Sequence, residues 1–235
     1  MQLIGLILLA ALAVAVFFGL GERFFRKIGL PDWLAFVLVL ALVIGALVPE
    51  ISLGGITINV GGFLVPLGLL AILFSRTKSK QCVLRSFLAI LAVAGMTVAT
   101  RLLIRAETPG LIVVTSAVTG ALAGISAYLA GKERVAVLIG AIGGIVLGDI
   151  VNNMILRFVF YQPIELGSHG IFDSIILAAV LGIVLTEAIA AISRTMNENK
   201  ISRTTLLHET AEDNYFEKEK IEEDKDDFKT LFLEE

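Results

Sequence analysis

Asp149, Asp173 and Glu187 each interrupt a stretch of sequence that is otherwise apolar. A carboxylate at the centre of a bilayer costs about 2.5 to 3.5 kcal/mol on insertion scales, so such acids mark ion or proton pathways, substrate sites or paired charges. Around Asp149 and Asp173 the chain supplies further polar groups. Asn152 and Asn153 follow Asp149 by about one helical turn, while Asn59, Ser168 and His169 belong to flanking segments able to fold over it. Arg101 and Arg105 offer a counter-charge. Two carboxylates with amides and a cation are suited to binding a cation or relaying a proton. If they share one proton, they are suited to activating water. The structural alternative is an acid and an arginine that only hold a bundle together, although apolar packing would achieve that without the desolvation cost.

The elements that must position these residues are membrane helices. Hydrophobic residues make up 57% of the 235 residues, charged residues 17%, and the mean hydropathy is +0.89, a composition outside that of soluble domains. Apolar runs near 2–19, 33–49, 61–75, 86–104, 110–131, 135–157 and 171–193 predict seven spans. Hydrocarbon offers no partner to backbone amides, and period-2 alternation is absent, so the expected fold is an all-α polytopic helical bundle. The third span follows a β-branched, glycine-rich run at 51–62, readable either as a hairpin or as a re-entrant segment whose carbonyls line an entrance. Two regions follow: a transmembrane domain at 1–193 and an acidic tail at 194–235.

Short-loop charge sets the expected orientation. With the N-terminus outside, Arg23, Arg26, Lys27, Arg76, Lys78, Lys80, Arg85, Lys132, Arg134, Arg194, Lys200 and Arg203 fall on the cytoplasmic side, against Arg101, Arg105 and Arg157 outside. The chain is thus expected in the cell membrane, N-terminus out and C-terminus in. The first span is not expected to be a cleaved signal, because its positive charges follow the apolar run. Between 211 and 235 eleven acids face Lys218, Lys220, Lys225 and Lys229. Such a tail is a solvated, partly disordered extension or a short helix docking a protein partner through Tyr215, Phe216, Ile221, Phe228, Leu231, Phe232 and Leu233. Its charge repels anionic lipid and nucleic acid alike.

Cys82 is the single cysteine, which excludes an intrachain disulfide and a multi-cysteine metal site. His169 and His208 fall on opposite sides in this topology, so no metal site and no cofactor are expected. Asp149 and Asp173 are expected in the outer half of neighbouring antiparallel helices, with Glu187 about 21 Å further along and unable to join them. Glycines recur at spacing four at 140, 144 and 148 and at 120 and 124, faces that let helices approach closely within the bundle or in a homo-oligomer.

Gly148-Asp149-Ile150-Val151-Asn152, the segment 167–173 running into Ser174-Ile175-Ile176-Leu177, and Ile58-Asn59-Val60-Gly61-Gly62-Phe63-Leu64-Val65-Pro66 resemble the DUF1614 family of bacterial and archaeal membrane proteins. The resemblance covers roughly 50–190, departs at Gly148 and Ser174, and implies a multi-pass membrane protein without an assigned activity. Gly148-Asp149 also resembles half of the Gly-x-Gly-Asp motif of presenilin-like and prepilin peptidases, with Val146 in place of the first glycine. Three classes of function follow. The first is ion- or proton-coupled transport or conduction through Asp149 and Asp173. The second is a scaffold or assembly role through the tail, and the third an intramembrane aspartyl protease with the two aspartates as its catalytic pair.

Overall fold

A computed structural model describes residues 37, 40, 41, 44, 45, 48–104, 108–168, 171 and 173–196. The expected first span, the tail beyond 196, Arg105 and His169 lie outside the described residues. Val37, Leu40, Ala41, Ile44 and Gly45, within the expected second span, are helical.

The glycine-rich run at 51–62 resolves as a hairpin. Strands β1 (Ile51–Leu53) and β2 (Ile56–Ile58) pair antiparallel around Gly54 and Gly55, whose φ values of 55° and 93° both demand the left-handed region. A two-residue turn of this kind matches strand twist, and glycine enters it without steric cost. A third strand, β3 (Ile164–Leu166), joins β2 in parallel, with Ile56 opposite Ile164 and Ile58 opposite Leu166. The all-α expectation is therefore corrected by a small three-stranded sheet of order β1-β2-β3.

After β2 the chain turns through one π-helical stretch, Val60–Leu64, into α1 (Val65–Arg76). Asn59 starts the turn by accepting the Gly62 N–H on its side-chain oxygen at 2.7 Å, and Pro66 occupies the first turn of α1, where a missing N–H costs nothing. The unit Val60–Arg76 is about 25 Å long, short of a full hydrocarbon crossing.

Among the described residues four further helices are long and apolar enough to cross a membrane: α2 (Lys80–Leu103), α3 (Pro109–Gly131), α4 (Arg134–Phe160) and α5 (Asp173–Met196). Thr108 caps α3, and left-handed Lys132 and Tyr161 end α3 and α4. α4 is the central helix. Its most apolar window is 72% buried, against 28% to 39% for the other three, which present Leu84, Phe87, Leu91 and Leu129 outward as helices facing lipid do.

Glycine contacts fix how these helices run. A Cβ placed on Gly140 would lie 2.4 Å from that of Ala89, one on Gly144 2.4 Å from that of Val93, and one on Gly148 2.7 Å from that of Thr97. Numbers rise together on both helices, so α2 and α4 pack parallel. Gly120 in the same way abuts Leu177 and the Ser174 carbonyl, and Gly124 abuts the Ala178 carbonyl and Leu181, so α3 and α5 are parallel too. At the start of α4, Arg134 donates from Nε and, at 3.2 Å, from Nη2 to the Glu187 carboxylate, and Gly182 packs on Val137. That pairing makes α5 antiparallel to α4. Arg85 and Glu133 form a second ion pair. The chain divides into compact units Met1–Glu187 and Ala188–Glu235; the described part of the latter, 188–196, is helical.

Candidate functional site

Asp149 is 1% exposed, deep in α4. Its Oδ2 accepts the Gly167 backbone N–H at 2.7 Å, and its Oδ1 accepts from Asn153 Nδ2 at 3.2 Å. The same Asn153 nitrogen donates to the Asp149 carbonyl, while its Oδ1 accepts the Glu165 N–H at 2.9 Å. The Arg101 guanidinium, near the end of α2, interacts electrostatically with Asp149. The ladder of Ala89, Val93 and Thr97 against Gly140, Gly144 and Gly148, continued by one turn, sets Arg101 level with Asn152.

These bonds describe a chain that doubles back. After α4 ends at Phe160, β3 descends alongside its last turns until Gly167 meets the carboxylate, eleven residues or about 16 Å below the helix end. Non-helical backbone at such depth survives only where protein satisfies its amides. Here β2 pairs β3, Leu166 O accepts the Asn59 N–H at 2.9 Å, and the Asp149 and Asn153 side chains take the Gly167 and Glu165 amides. Gly167, at φ +76°, passes Gly62 so closely that a Cβ on Gly62 would lie 2.0 Å from its carbonyl oxygen.

Asn59 and Ser168 meet at Glu50: Asn59 Nδ2 donates to Oε1 at 3.4 Å and Ser168 Oγ donates to the same oxygen at 2.9 Å. Asp173 is 3% exposed in the first turn of α5, next to Ser174, whose hydroxyl donates to the Ser116 carbonyl at 3.1 Å. Its height follows from the Arg134–Glu187 pair. Asp149 lies fifteen residues beyond Arg134, and Asp173 fourteen residues before Glu187, so the acids stand about 22.5 and 21 Å along their antiparallel helices from that ion pair. The two stand within about one helical turn of the same height. Glu187 stays at the far end with Arg134.

Among the described residues, buried oxygens of Thr97, Thr115, Thr119 and Asn152 have no hydrogen-bond partner. Sequence reasoning passed over these threonines, since a threonine in an apolar helix commonly donates to its own backbone, as Thr100 and Thr186 do here. It also passed over Glu50, Glu165 and the amide of Gly167. Three-residue strands leave no periodic signal, and a backbone donor leaves no trace in residue type. Among the described residues no cluster of three histidine, cysteine, aspartate or glutamate side chains suits a metal.

Four apolar spanning helices and a buried polar junction define a helical integral membrane protein. The chain belongs to the YphA-like integral membrane protein family, whose model matches residues 9–207. The DUF1614 resemblance is corrected by this match, which supports an integral membrane family and a bilayer environment under a different name. No curated protein and no solved structure matches the chain.

Proposed function

We propose that this protein moves protons or a small cation across the cell membrane, using Asp149 and Asp173 as paired acids. The supporting observation is that both acids are almost fully buried and stand within about one helical turn of the same height on antiparallel helices. Asp149, held by two N–H donors and facing Arg101, supplies a fixed charge. Asp173, in the first turn of α5, supplies the exchanging carboxyl. Proteolysis is less well supported, because donors already occupy the Asp149 oxygens that would have to hold the attacking water.

In this reading the chain makes seven spans, N-terminus out and C-terminus in, with the short unit Val60–Arg76 as the third, its roughly 25 Å met by local thinning of the bilayer. Basic residues at the ends of α1 to α4 support that orientation. The acidic tail then reaches a cytoplasmic protein partner, and any homo-oligomer uses helix faces left over from the α2/α4 and α3/α5 contacts.

The test is ion flux. Purified protein in liposomes carrying a pH-sensitive dye should pass protons, or an added monovalent cation, down an imposed gradient. Asp149→Asn and Asp173→Asn should each abolish that flux while the proteins remain monodisperse, Asp173→Glu should retain part of it, and removal of 197–235 should leave it intact. Flux that is absent in the parent chain, or unchanged in both Asn variants, ends this reading.

A further inference from the structure

The core-facing stripes of the bundle change character at one height. On α2 the stripe reads Ala89, Val93, Thr97, Arg101; on α3, from the opposite end, Ala127, Ala123, Thr119, Thr115; on α4, Gly140, Gly144, Gly148, Asn152. Ala89, Ala123 and Ala127 are fully buried, and Ala123 and Ala127 pack in the same apolar core as Val93, Ile139 and Ile145. Thr97 and Thr119 are also fully buried, and Thr115 and Asn152 are 4% and 6% exposed.

Height can be counted from the Arg134–Glu187 pair at 1.5 Å per residue. Thr97 takes the level of Gly148, which it touches, and α3 takes its level from the contacts of Gly120 and Gly124 on α5. Thr119, Thr97, Thr115 and Asn152 then fall between roughly 18 and 27 Å, the band that contains both acids. Directly below that band, down to Ala89, Ala127 and Gly140, the same three stripes hold alanine, valine and glycine, and the buried Ser86 beneath them donates its hydroxyl to the Cys82 carbonyl.

Four buried oxygens without a hydrogen-bond partner among the described residues, on three helices and within one band, each carry the full desolvation penalty if the band is dry. A polar cavity with several convergent acceptors and hydroxyls is the environment in which internal water binds, because each water satisfies two to four such groups. We propose that Thr97, Thr115, Thr119 and Asn152 surround a cluster of internal water at the height of Asp149 and Asp173, closed toward the Arg134 end by the alanine and glycine packing. Water is the ligand of this site. The hydroxyls can both donate and accept, so they can pass protons along the cluster, whereas the apolar packing below offers no continuous path.

Water-edited solid-state NMR on threonine-labelled protein in bilayers tests the proposal, with single Thr→Val variants assigning the signals. Thr108, exposed at the start of α3, is the wet reference, and Thr186, buried with its hydroxyl on the Gly182 carbonyl, is the dry one. Signals of Thr97, Thr115 and Thr119 should build up from water as fast as that of Thr108. Build-up as slow as that of Thr186 overturns the proposal. Thr119→Val gives a second reading in the unlabelled protein: removing a hydrogen-bonded hydroxyl should lower the melting temperature by a few degrees, whereas a raised one means a dry orphan was removed and also overturns the proposal. Neither measurement requires transport, so a chain that passes no ions can still carry this water.

Discussion

Gly167 gives its backbone N–H to Oδ2 of Asp149 at 2.7 Å, joining a strand end to the middle of the central helix. One partner of Asp149, the most buried acid among the described residues, is thus a main-chain donor from the loop that follows its own helix. Asp149→Asn keeps an acceptor for Gly167 but sets its own amide N–H against the Asn153 donor and removes the charge facing Arg101, so it should cost about 2 to 3 kcal/mol, whereas Asp149→Leu strands both donors as well and should cost about 3 to 5 kcal/mol. Thermal denaturation in detergent micelles distinguishes the two, and equal losses would mean that the Gly167 contact contributes nothing.

Gly144→Val should be among the most damaging single changes. Its Cβ would start 2.4 Å from that of Val93 and 2.9 Å from the Ile90 carbonyl, so α2 and α4 must separate, at a cost of about 1 to 3 kcal/mol or more. Gly95→Ala, with nothing within 4 Å, should be neutral or stabilise α2 by about 0.5 to 1 kcal/mol. Melting temperatures of the pair, measured side by side, check the parallel packing.

The sheet can be tested chemically. In a Cys82→Ser background, Thr57→Cys with Glu165→Cys should oxidise readily to a disulfide, since these residues are register partners on β2 and β3. Ser52→Cys with Glu165→Cys, two strands apart at about 9.6 Å, should not. Gel mobility with and without reductant reads the outcome, and the reverse pattern would refute the parallel pairing.

Arg134 and Glu187 fix the relative height of α4 and α5, yet both side chains are partly exposed, 26% and 37%. Removing either should therefore cost only about 0.5 to 1 kcal/mol. The charge exchange Arg134→Glu with Glu187→Arg should recover most of that loss. A double-mutant cycle of melting temperatures measures the coupling, and strict additivity would show that the pair does not set the register.

The orientation proposed from loop charge also makes a prediction. In sealed inside-out vesicles, protease should remove a tag at the C-terminus and leave one at the N-terminus intact. Right-side-out cells should give the opposite result.

Apolar length alone located α2 to α5: expected spans at 86–104, 110–131, 135–157 and 171–193 compare with helices Lys80–Leu103, Pro109–Gly131, Arg134–Phe160 and Asp173–Met196. The misplaced ends are polar or aromatic turns, such as the stretch from Lys80 to Arg85, that continue a helix past the hydrocarbon. The Gly54-Gly55 turn was half legible: glycines at both positions allow the two positive φ values of a hairpin, but they equally suit a re-entrant segment, and only the strand pairing decides between them. β3 was not legible. Its pairing partner lies more than a hundred residues away, and Gln162 and Pro163 before it read only as a loop. The acids themselves stood out by cost, while their depth relative to each other needed the Arg134–Glu187 contact, which no local pattern encodes.

The parallel pairing of β2 with β3 also bears on how the protein is made. The β1–β2 hairpin leaves the ribosome long before β3 does, and by then α1 to α4 have to be placed. Until β3 arrives, the β2 edge has no strand beside it, Asp149 and Asn153 have no amides to receive, and the band around them stands open. Biogenesis therefore includes a stitching step that closes a loop of about a hundred residues before α5 packs, a slow, non-local event that leaves an adhesive strand edge waiting.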